Sequence, residues 1–415
     1  MTLIRVLQRQ RSARFPRLRL PPAAARNVTT LGVNARDSSA PRPLPLEGVR
    51  VVECGHLIAG PFAGTILSYF GADVIKIEPP SGDQVRDYRE LDDTRTSLWW
   101  YSIGRNKRSV AKWGLGPESF EAANPGLVYA RISGYGQDGP YSSRPGFASV
   151  CEAMGGFRYV NGFPDRPPVR QNLSLGDTIA GIHAALGIVI ALLGRERGAA
   201  AGADKGQVVD VAIYETMFNL MEAVVPEYDY AGVVRECSGS TITGIVPSNT
   251  YTSADKKNIV VAANTDTLFV KLMRAIGRDD MAQDAKYRTN ADRVRHQQEI
   301  DDAVALWTSQ QPLDRVVEVM EARQIPVGLV YSVEDMVKDE HFLHRKMFER
   351  VQVGDRSLKI PAIVPKLAGT PGRTLWAGRK LGQDTRQVLR DVLKRSDSDV
   401  DALLEEKVVF EPSDK

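Results

Sequence analysis

The stretch from Val49 to Pro80 limits the fold more than any other part of the chain. Val49-Arg50-Val51-Val52-Glu53 is rich in β-branched residues and predicts a strand, followed by a loop from Cys54 to Ala59. Gly60-Pro61 opens a helix that carries Phe62, Ile66, Leu67 and Phe70, and Gly71 stops it. Ala72 to Glu78, with Val74, Ile75 and Ile77, predicts a second strand, ended by Pro79-Pro80. A strand–helix–strand unit of this kind implies parallel strands, so the expected class is α/β with a doubly wound sheet. The chain has 415 residues, enough for one large domain and a smaller one.

Such a start invites a dinucleotide-binding reading. Gly55, Gly60 and Gly64 do not have the G-x-G-x-x-G spacing that brings a backbone up to a pyrophosphate. Glu78 does end the second strand, where a ribose-binding acid would sit. A dehydrogenase therefore stays a minor alternative, to be judged by nicotinamide binding.

Further along, Leu127 to Ile132 predicts a strand and Ser133 to Pro140 a loop of turn residues. Ile179 to Leu193 predicts a helix apolar on most faces, with Gly194 as its stop. That run falls short of the roughly 20 residues a bilayer needs, and it contains His183. A buried core helix is expected there, and no membrane span. Val208 to Ile213 predicts a strand, with a helix from Tyr214. A second, smaller α/β unit follows: a strand at Asn258 to Ala263, a helix at Thr265 to Ile276 ended by Gly277, charged helices over 290–309 and 312–324, and a strand at Val327 to Tyr331. A last helix, Thr385 to Arg395, is expected to return to the first domain. The expected division is 1–44 leader and linker, 45–225 large domain, 226–335 small domain, and 336–415 return segment.

Charge and cysteine usage exclude several classes. The net charge is +3, and much of the excess lies in residues 1–36, which hold eight arginines (Arg5, Arg9, Arg11, Arg14, Arg17, Arg19, Arg26 and Arg36) and no acid before Asp37. Interleaved with Leu3, Ile4, Val6 and Leu7, this is the pattern of a mitochondrial transit peptide and a matrix location, the plainer alternative being a basic tail. The remainder is nearly neutral, which disfavours a nucleic-acid partner. Cys54, Cys151 and Cys237 are too scattered for a disulfide framework. None of the five histidines (His56, His183, His296, His341 and His344) has zinc-ligand spacing, so no metal site is expected.

Several short motifs occur together and in order: Pro45 to Glu53, Ala59-Gly60-Pro61-Phe62-Ala63, Gly71 to Glu78, Asn106-Lys107-Arg108-Ser109, Ile132 to Gln137, and Gly176-Asp177 leading into Ala180-Gly181. In these residues the chain resembles the family III CoA-transferases (the CaiB/BaiF family) from about residue 45 to about residue 395. The resemblance implies a Rossmann-like large domain built from both chain ends, a smaller α/β domain, and subunits interlocked into a homodimer. It also implies CoA transfer from an acyl-CoA donor to a carboxylic acid acceptor, with the CoA thioester as substrate and no permanently bound cofactor. Acyl-CoA would bind at the large domain, facing the partner's small domain.

By the same resemblance Asp177 is the nucleophile, passing through an aspartyl anhydride and an aspartyl-CoA thioester. Its place just before an apolar helix would keep the carboxylate ionised, although by residue type and spacing alone Asp177 would be read as an N-cap. The loop with His56, Ile58 and Ala59 and the turn Arg144-Pro145-Gly146-Phe147 match the family's CoA-contacting segments. Main-chain N–H groups near Ile58 and Ala59 are candidate oxyanion donors. Arg144 could hold a phosphate or be a surface charge, and His56 could line the CoA tunnel or be a core histidine. The general likeness and the leader suggest succinyl-CoA as donor and a dicarboxylic acceptor such as a glutarate derivative.

The chain also departs from the family. Ser109-Val110-Ala111-Lys112 meets Trp113-Gly114-Leu115-Gly116 directly, where relatives insert a strand, a helix and an Asn-Phe-Arg-Pro-Gly turn that contact CoA. Loss of that strand and helix would expose core. Ala148 replaces a family acid, and Ile58 replaces a glutamine of the formyl-CoA enzyme, which argues against formyl-CoA and oxalate. Gly239 or Gly244 would have to serve a lid loop. Two further readings stay open: a 2-methylacyl-CoA racemase, which needs a histidine in the segment that here reads Gly146-Phe147-Ala148, and a catalytically impaired CoA-domain protein.

Overall fold

The N-terminal β-α-β unit forms as the sequence pattern requires. In the computed structural model, which describes residues 42–111, 124–199 and 205–412, β1 (Arg50–Glu53), β2 (Asp73–Glu78) and β3 (Lys107–Ala111) make a parallel sheet in the order β1-β2-β3. Between the first two strands lies α1 (Ala59–Tyr69). Pro61 falls in its first turn, where an intrahelical donor is not needed. Gly71 follows the end of α1 with φ +107°, and an added Cβ there would collide with Leu44, so only glycine fits.

The leader and the Lys112–Gly116 junction lie outside the described residues. After the junction, β4 (Tyr129–Ser133) pairs in parallel with β5 (Val208–Ala212) as a separate two-stranded sheet. Among the described residues no ladder joins it to β1, which is left an edge strand with Val52 57% exposed.

Two short helices accompany these sheets. α2 (Leu98–Ile103) packs near α1, and α3 (Ala148–Met154) follows the turn at 144–147. α4 runs from Leu175 to Ala199, longer at both ends than the sequence pattern suggested. Gly194 does not stop it: glycine inside a helix costs only about 1 kcal/mol, and the flanking Leu193, Arg195 and Glu196 favour helix. Nor is α4 a fully buried core helix. Ala180, Ala184, Ala185 and Ala191 are buried, the first three against α1 and β5, whereas Ile182, Leu186, Val189, Ile190 and Leu193 are exposed. α5 (Ile213–Phe218) and α6 (Val224–Ala231) complete this part.

The smaller α/β unit has an antiparallel sheet of β6 (Ser248–Thr252), β7 (Asn258–Ala262) and β8 (Val327–Leu329). α7 (Asp266–Ala275) starts on the Thr265 cap and is followed by Gly277 at φ +76°, much as predicted. Its inner face, Phe269, Leu272 and Met273, packs with Ile259, Ile300 and Val316 into one core. Then β9 (Phe348–Val353) and β10 (Arg356–Pro361) form a hairpin around Gly354-Asp355, which the sequence reading passed over. The chain end returns to the first sheet. Asn106 donates to the Arg373 carbonyl (2.8 Å), Asp384 accepts from the Ser109 N–H (3.0 Å), and Val388 packs on Ile75 and Val110.

Candidate active site

Asp177 is the third residue of α4, inside its first turn rather than before it. The Thr178 N–H bonds the Ser174 carbonyl at 3.1 Å, so Ser174, not Asp177, holds the capping position. The carboxylate is only partly covered. Its pKa is pushed up from 3.8 to about 6, first by burial and then by the Glu152 charge, with Arg170 opposing. The expected helix-terminus effect, which would lower it, is outweighed. At neutral pH Asp177 is still ionised, but it is an unusually basic and poorly stabilised carboxylate.

Glu152, on α3, is the site residue the sequence reading missed. It is 1% exposed. One of its oxygens accepts the Gly176 N–H at 3.1 Å; the other meets Arg158 at 3.3 Å and lies 3.8 Å from Arg170. A lone acid in the otherwise small and apolar Ala148–Met154 stretch was the available signal. Next to it, Cys151 is fully buried, gives its S–H to the Gly134 carbonyl (3.3 Å), and is pushed up to about 11 by burial, Asp177 and Glu152, so it is an inert thiol.

Close backbone approaches bring the predicted segments together. A Cβ on Gly181 would lie 2.7 Å from the Ala59 carbonyl, so α4 crosses the start of α1 one turn beyond Asp177. A Cβ on Gly176 would meet Ala148 at 3.3 Å, and Gly134 and Gly146 exclude side chains on each other. Asp177, Ala59 and the Arg144–Phe147 turn thus border one region. Ile58 and Ala59 are buried and begin α1, whose first intrahelical bond runs from Phe62 N–H to the Ile58 carbonyl (2.7 Å), leaving the earlier amides to other acceptors.

The loop ahead of them is fixed from below. Leu57 has φ +64°, a conformation costly for a branched residue, and its N–H donates to Asp83 at 3.0 Å. Lys76 donates to the Gly55 carbonyl at 2.8 Å and pairs with Asp83 (2.8 Å) and Glu53 (3.0 Å). Lys107 also pairs with Glu53 (2.9 Å), and Gly64 gives this acid room, since a Cβ there would overlap its carboxylate.

The remaining expected contacts are placed as follows. His56 is half-buried in the pinned loop. Arg144 is exposed and stacks on Tyr141 at 3.6 Å, Pro145 is exposed, Gly146 is half-buried, and Phe147 is 70% exposed. Glu78 is not available to a ribose. It is fully buried, takes two 2.8 Å bonds from Arg86 and one from Ser109, and these hold its pKa below the usual range although burial alone would raise it. No group of three or more metal-ligating side chains occurs among the described residues. A cavity of about 410 Å³ beside Tyr69, Phe342 and Phe348 includes none of the candidate residues.

The fold agrees with comparisons to known proteins. The chain belongs to CoA-transferase family III, which it matches over residues 46–111 and 110–385. The two matched stretches meet at residues 110–111. The succinyl-CoA–D-citramalate CoA-transferase of Chloroflexus aurantiacus is 39% identical over 406 residues, covering 90% of this chain and 100% of that protein. The succinyl-CoA–L-malate CoA-transferase alpha subunit of the same organism is 34% identical, covering 88% and 93%. Among solved structures, a CaiB/BaiF family protein from Brucella suis superposes with a TM-score of 0.73 at 26% identity, covering 84% of this chain and 99% of that one. The chain is accordingly an enzyme, a CoA-transferase, and its substrates are a CoA thioester and a carboxylate.

Proposed function

We propose that the enzyme moves CoA from succinyl-CoA to a dicarboxylic acid, with Asp177 as nucleophile. The observation that carries this reading is the Asp177 carboxylate itself, partly open at a helix start and pushed up to about 6. Asp177 attacks the thioester carbonyl; the C–S bond breaks, CoA leaves as thiolate, and a mixed anhydride forms. The thiolate attacks the aspartyl carbonyl, releasing succinate and leaving an aspartyl-CoA thioester. The acceptor carboxylate displaces the thiolate to give a second anhydride. Thiolate attack on the acceptor's carbonyl then forms the new acyl-CoA and restores Asp177. Every intermediate stays activated, so no external energy source is required, and water must be kept out.

His56, Ile58, Ala59, Arg144, Pro145, Gly146 and Phe147 are proposed to contact CoA, with the first amides of α1 facing the oxyanions. The relatives' names support succinyl-CoA as donor. Their acceptors, D-citramalate and L-malate, favour a hydroxylated dicarboxylate over the glutarate derivative suggested by the sequence.

A homodimer is proposed because Ile182, Leu186, Val189, Ile190 and Leu193 form one exposed apolar stripe on α4, too large for a surface left in water. By length and composition α4 could also cross a bilayer, but its buried alanines already pack on α1 and β5. The division at 45–225, 226–335 and 336–415 is likewise proposed, supported by the separate core of the small unit. The arginine-rich 1–36 segment is proposed to direct the protein to the mitochondrial matrix.

The test is to incubate the purified protein with succinyl-CoA and a panel of dicarboxylates and to read new thioesters by mass spectrometry, with Asp177→Ala alongside. A new acyl-CoA is expected with at least one hydroxydicarboxylate, and a loss of about a thousandfold or more in Asp177→Ala. Undiminished turnover in the variant, or no new thioester with any acid, overturns the proposal.

A further inference from the structure

Glu152 holds a position that a fold alone does not require. A helix amide such as Gly176 N–H is satisfied as well by a hydroxyl or an amide oxygen as by a carboxylate. Burying a carboxylate instead carries a desolvation penalty of several kcal/mol. Here the acid is 1% exposed and close enough to Asp177 to act on its charge. Its cations are only loosely engaged: Arg158 at 3.3 Å, and Arg170, itself half-exposed, at 3.8 Å. By contrast, Glu78 on the first sheet has a bidentate arginine at 2.8 Å. Glu152 is thus only loosely compensated, and part of its negative charge still acts on the nucleophile beside it.

The packing makes the arrangement specific. The Glu152–Gly176 bond reaches the residue immediately before Asp177. Gly176 has no side chain, and a Cβ there would press on Glu152 Cγ at 3.1 Å and on Ala148 Cβ at 3.3 Å. α3 and the first turn of α4 are therefore locked through one side chain. The charged and titratable groups that face Asp177 are Glu152 and the Cys151 thiol from α3, and Arg170 from the segment before α4. His183, one turn and a half further along α4, turns its Nδ1 to the Ile179 carbonyl (2.9 Å).

We propose that Glu152 is a positioning residue for Asp177: its bond to Gly176 fixes the turn that aims the nucleophile, and its charge favours the acylated, neutral form of Asp177 over the free anion. This rests on the reading of Asp177 as nucleophile. The physical basis is that a proton and an acyl group have the same effect on the repulsion. Either one removes the Asp177 charge, so the crowding that raises the proton affinity of Asp177 also raises its affinity for an acyl group. Glu152 itself exchanges no atoms with substrate.

The test compares the full-length wild type with Glu152→Gln, Glu152→Asp and Asp177→Ala. It measures the pH dependence of kcat/KM and the amount of hydroxylamine-trapped acyl-enzyme. Glu152→Gln keeps an oxygen for the Gly176 N–H but loses the charge. Its acid limb is expected to move to lower pH by about one unit, with about tenfold less trapped acyl-enzyme. Glu152→Asp keeps the charge but is one methylene short of Gly176. It is expected to keep the wild-type acid limb and to lose about tenfold in kcat. A wild-type limb and trap level in folded Glu152→Gln overturns the proposal, as does a wild-type kcat in Glu152→Asp, which also decides the matter should the Gln variant not fold. Activity in Asp177→Ala would instead overturn the nucleophile assignment, so the two failures are told apart.

Discussion

Two pairs of carboxylates in this enzyme, one buried throughout and one with a partly covered member, are held in opposite ways. Under the loop that precedes α1, Glu53 and Asp83 face Lys76 and Lys107, with each carboxylate within 3.0 Å of an ammonium. Burial would raise Asp83, but Lys76 and the Val85 and Leu57 amides more than offset this and hold it below its ordinary range. Lys76, in turn, is raised by Glu53 and Asp83 against its own burial. At the start of α4, Glu152 and Asp177 face each other with Arg158 and Arg170 only loosely engaged, and Asp177 goes up to about 6. The matched group builds a rigid support for the expected CoA-contacting loop. The loosely matched group stores electrostatic free energy in Asp177, the carboxylate proposed to react.

The comparison breaks most visibly at Lys76. Lys76→Met would leave Glu53 and Asp83 buried with Lys107 as their one remaining ammonium, and would release the Gly55 carbonyl. A loss of about 3–5 kcal/mol in unfolding free energy is expected by urea denaturation. A loss below 1 kcal/mol would mean that the cluster is not the support described.

Asp177→Asn is expected to act in the other direction. The folded pKa of Asp177, about 6, lies above its ordinary 3.8. Between those values the native state holds a proton that the unfolded chain has released, so stability falls as pH rises through this window, and above it the native state carries the full strain. With allowance for solvent screening at a partly covered group, the isosteric amide should stabilise the fold by about 1–2 kcal/mol at pH 7.5. The gain should vanish at about pH 3 and below, where wild-type Asp177 is protonated in both states. Urea denaturation at the two pH values measures it. Equal stability at pH 7.5 would show that the carboxylate is not under strain.

The contrast between the two groups also marks how far the sequence could be read. The first β-α-β unit was legible because apolar periodicity, Pro61 and Gly71 all point to one local structure. So was α7, with its Thr265 cap and the Gly277 stop. The β9–β10 hairpin had a legible signal, Gly354-Asp355 between alternating stretches, that was passed over. The full length of α4 is not legible in the sequence, because Gly194 has the character of a helix stop while its helix-forming neighbours carry the turn past it. Asp177 was found from a motif, but the sign of its shift was not. A helix start alone predicts a lowered carboxylate, and the reversal depends on Glu152, which lies 25 residues away in sequence and meets Asp177 only through the Gly134, Gly146 and Gly176 close approaches.

The smallest effect tests the cation side of the same balance. Among the described residues Arg170 is the one group that lowers Asp177, but it is half-exposed and 3.8 Å from Glu152, so most of its field is screened by water. Arg170→Ala should therefore shift the acid limb of the pH profile upward by about half a unit or less, opposite in sign to Glu152→Gln. The displacement should grow at low ionic strength and shrink in molar salt, because an exposed guanidinium is screened while the buried Glu152 is not. An upward shift larger than the downward shift of Glu152→Gln would mean that Arg170, and not Glu152, dominates the field at Asp177, and the assignment of the two sides would have to be exchanged.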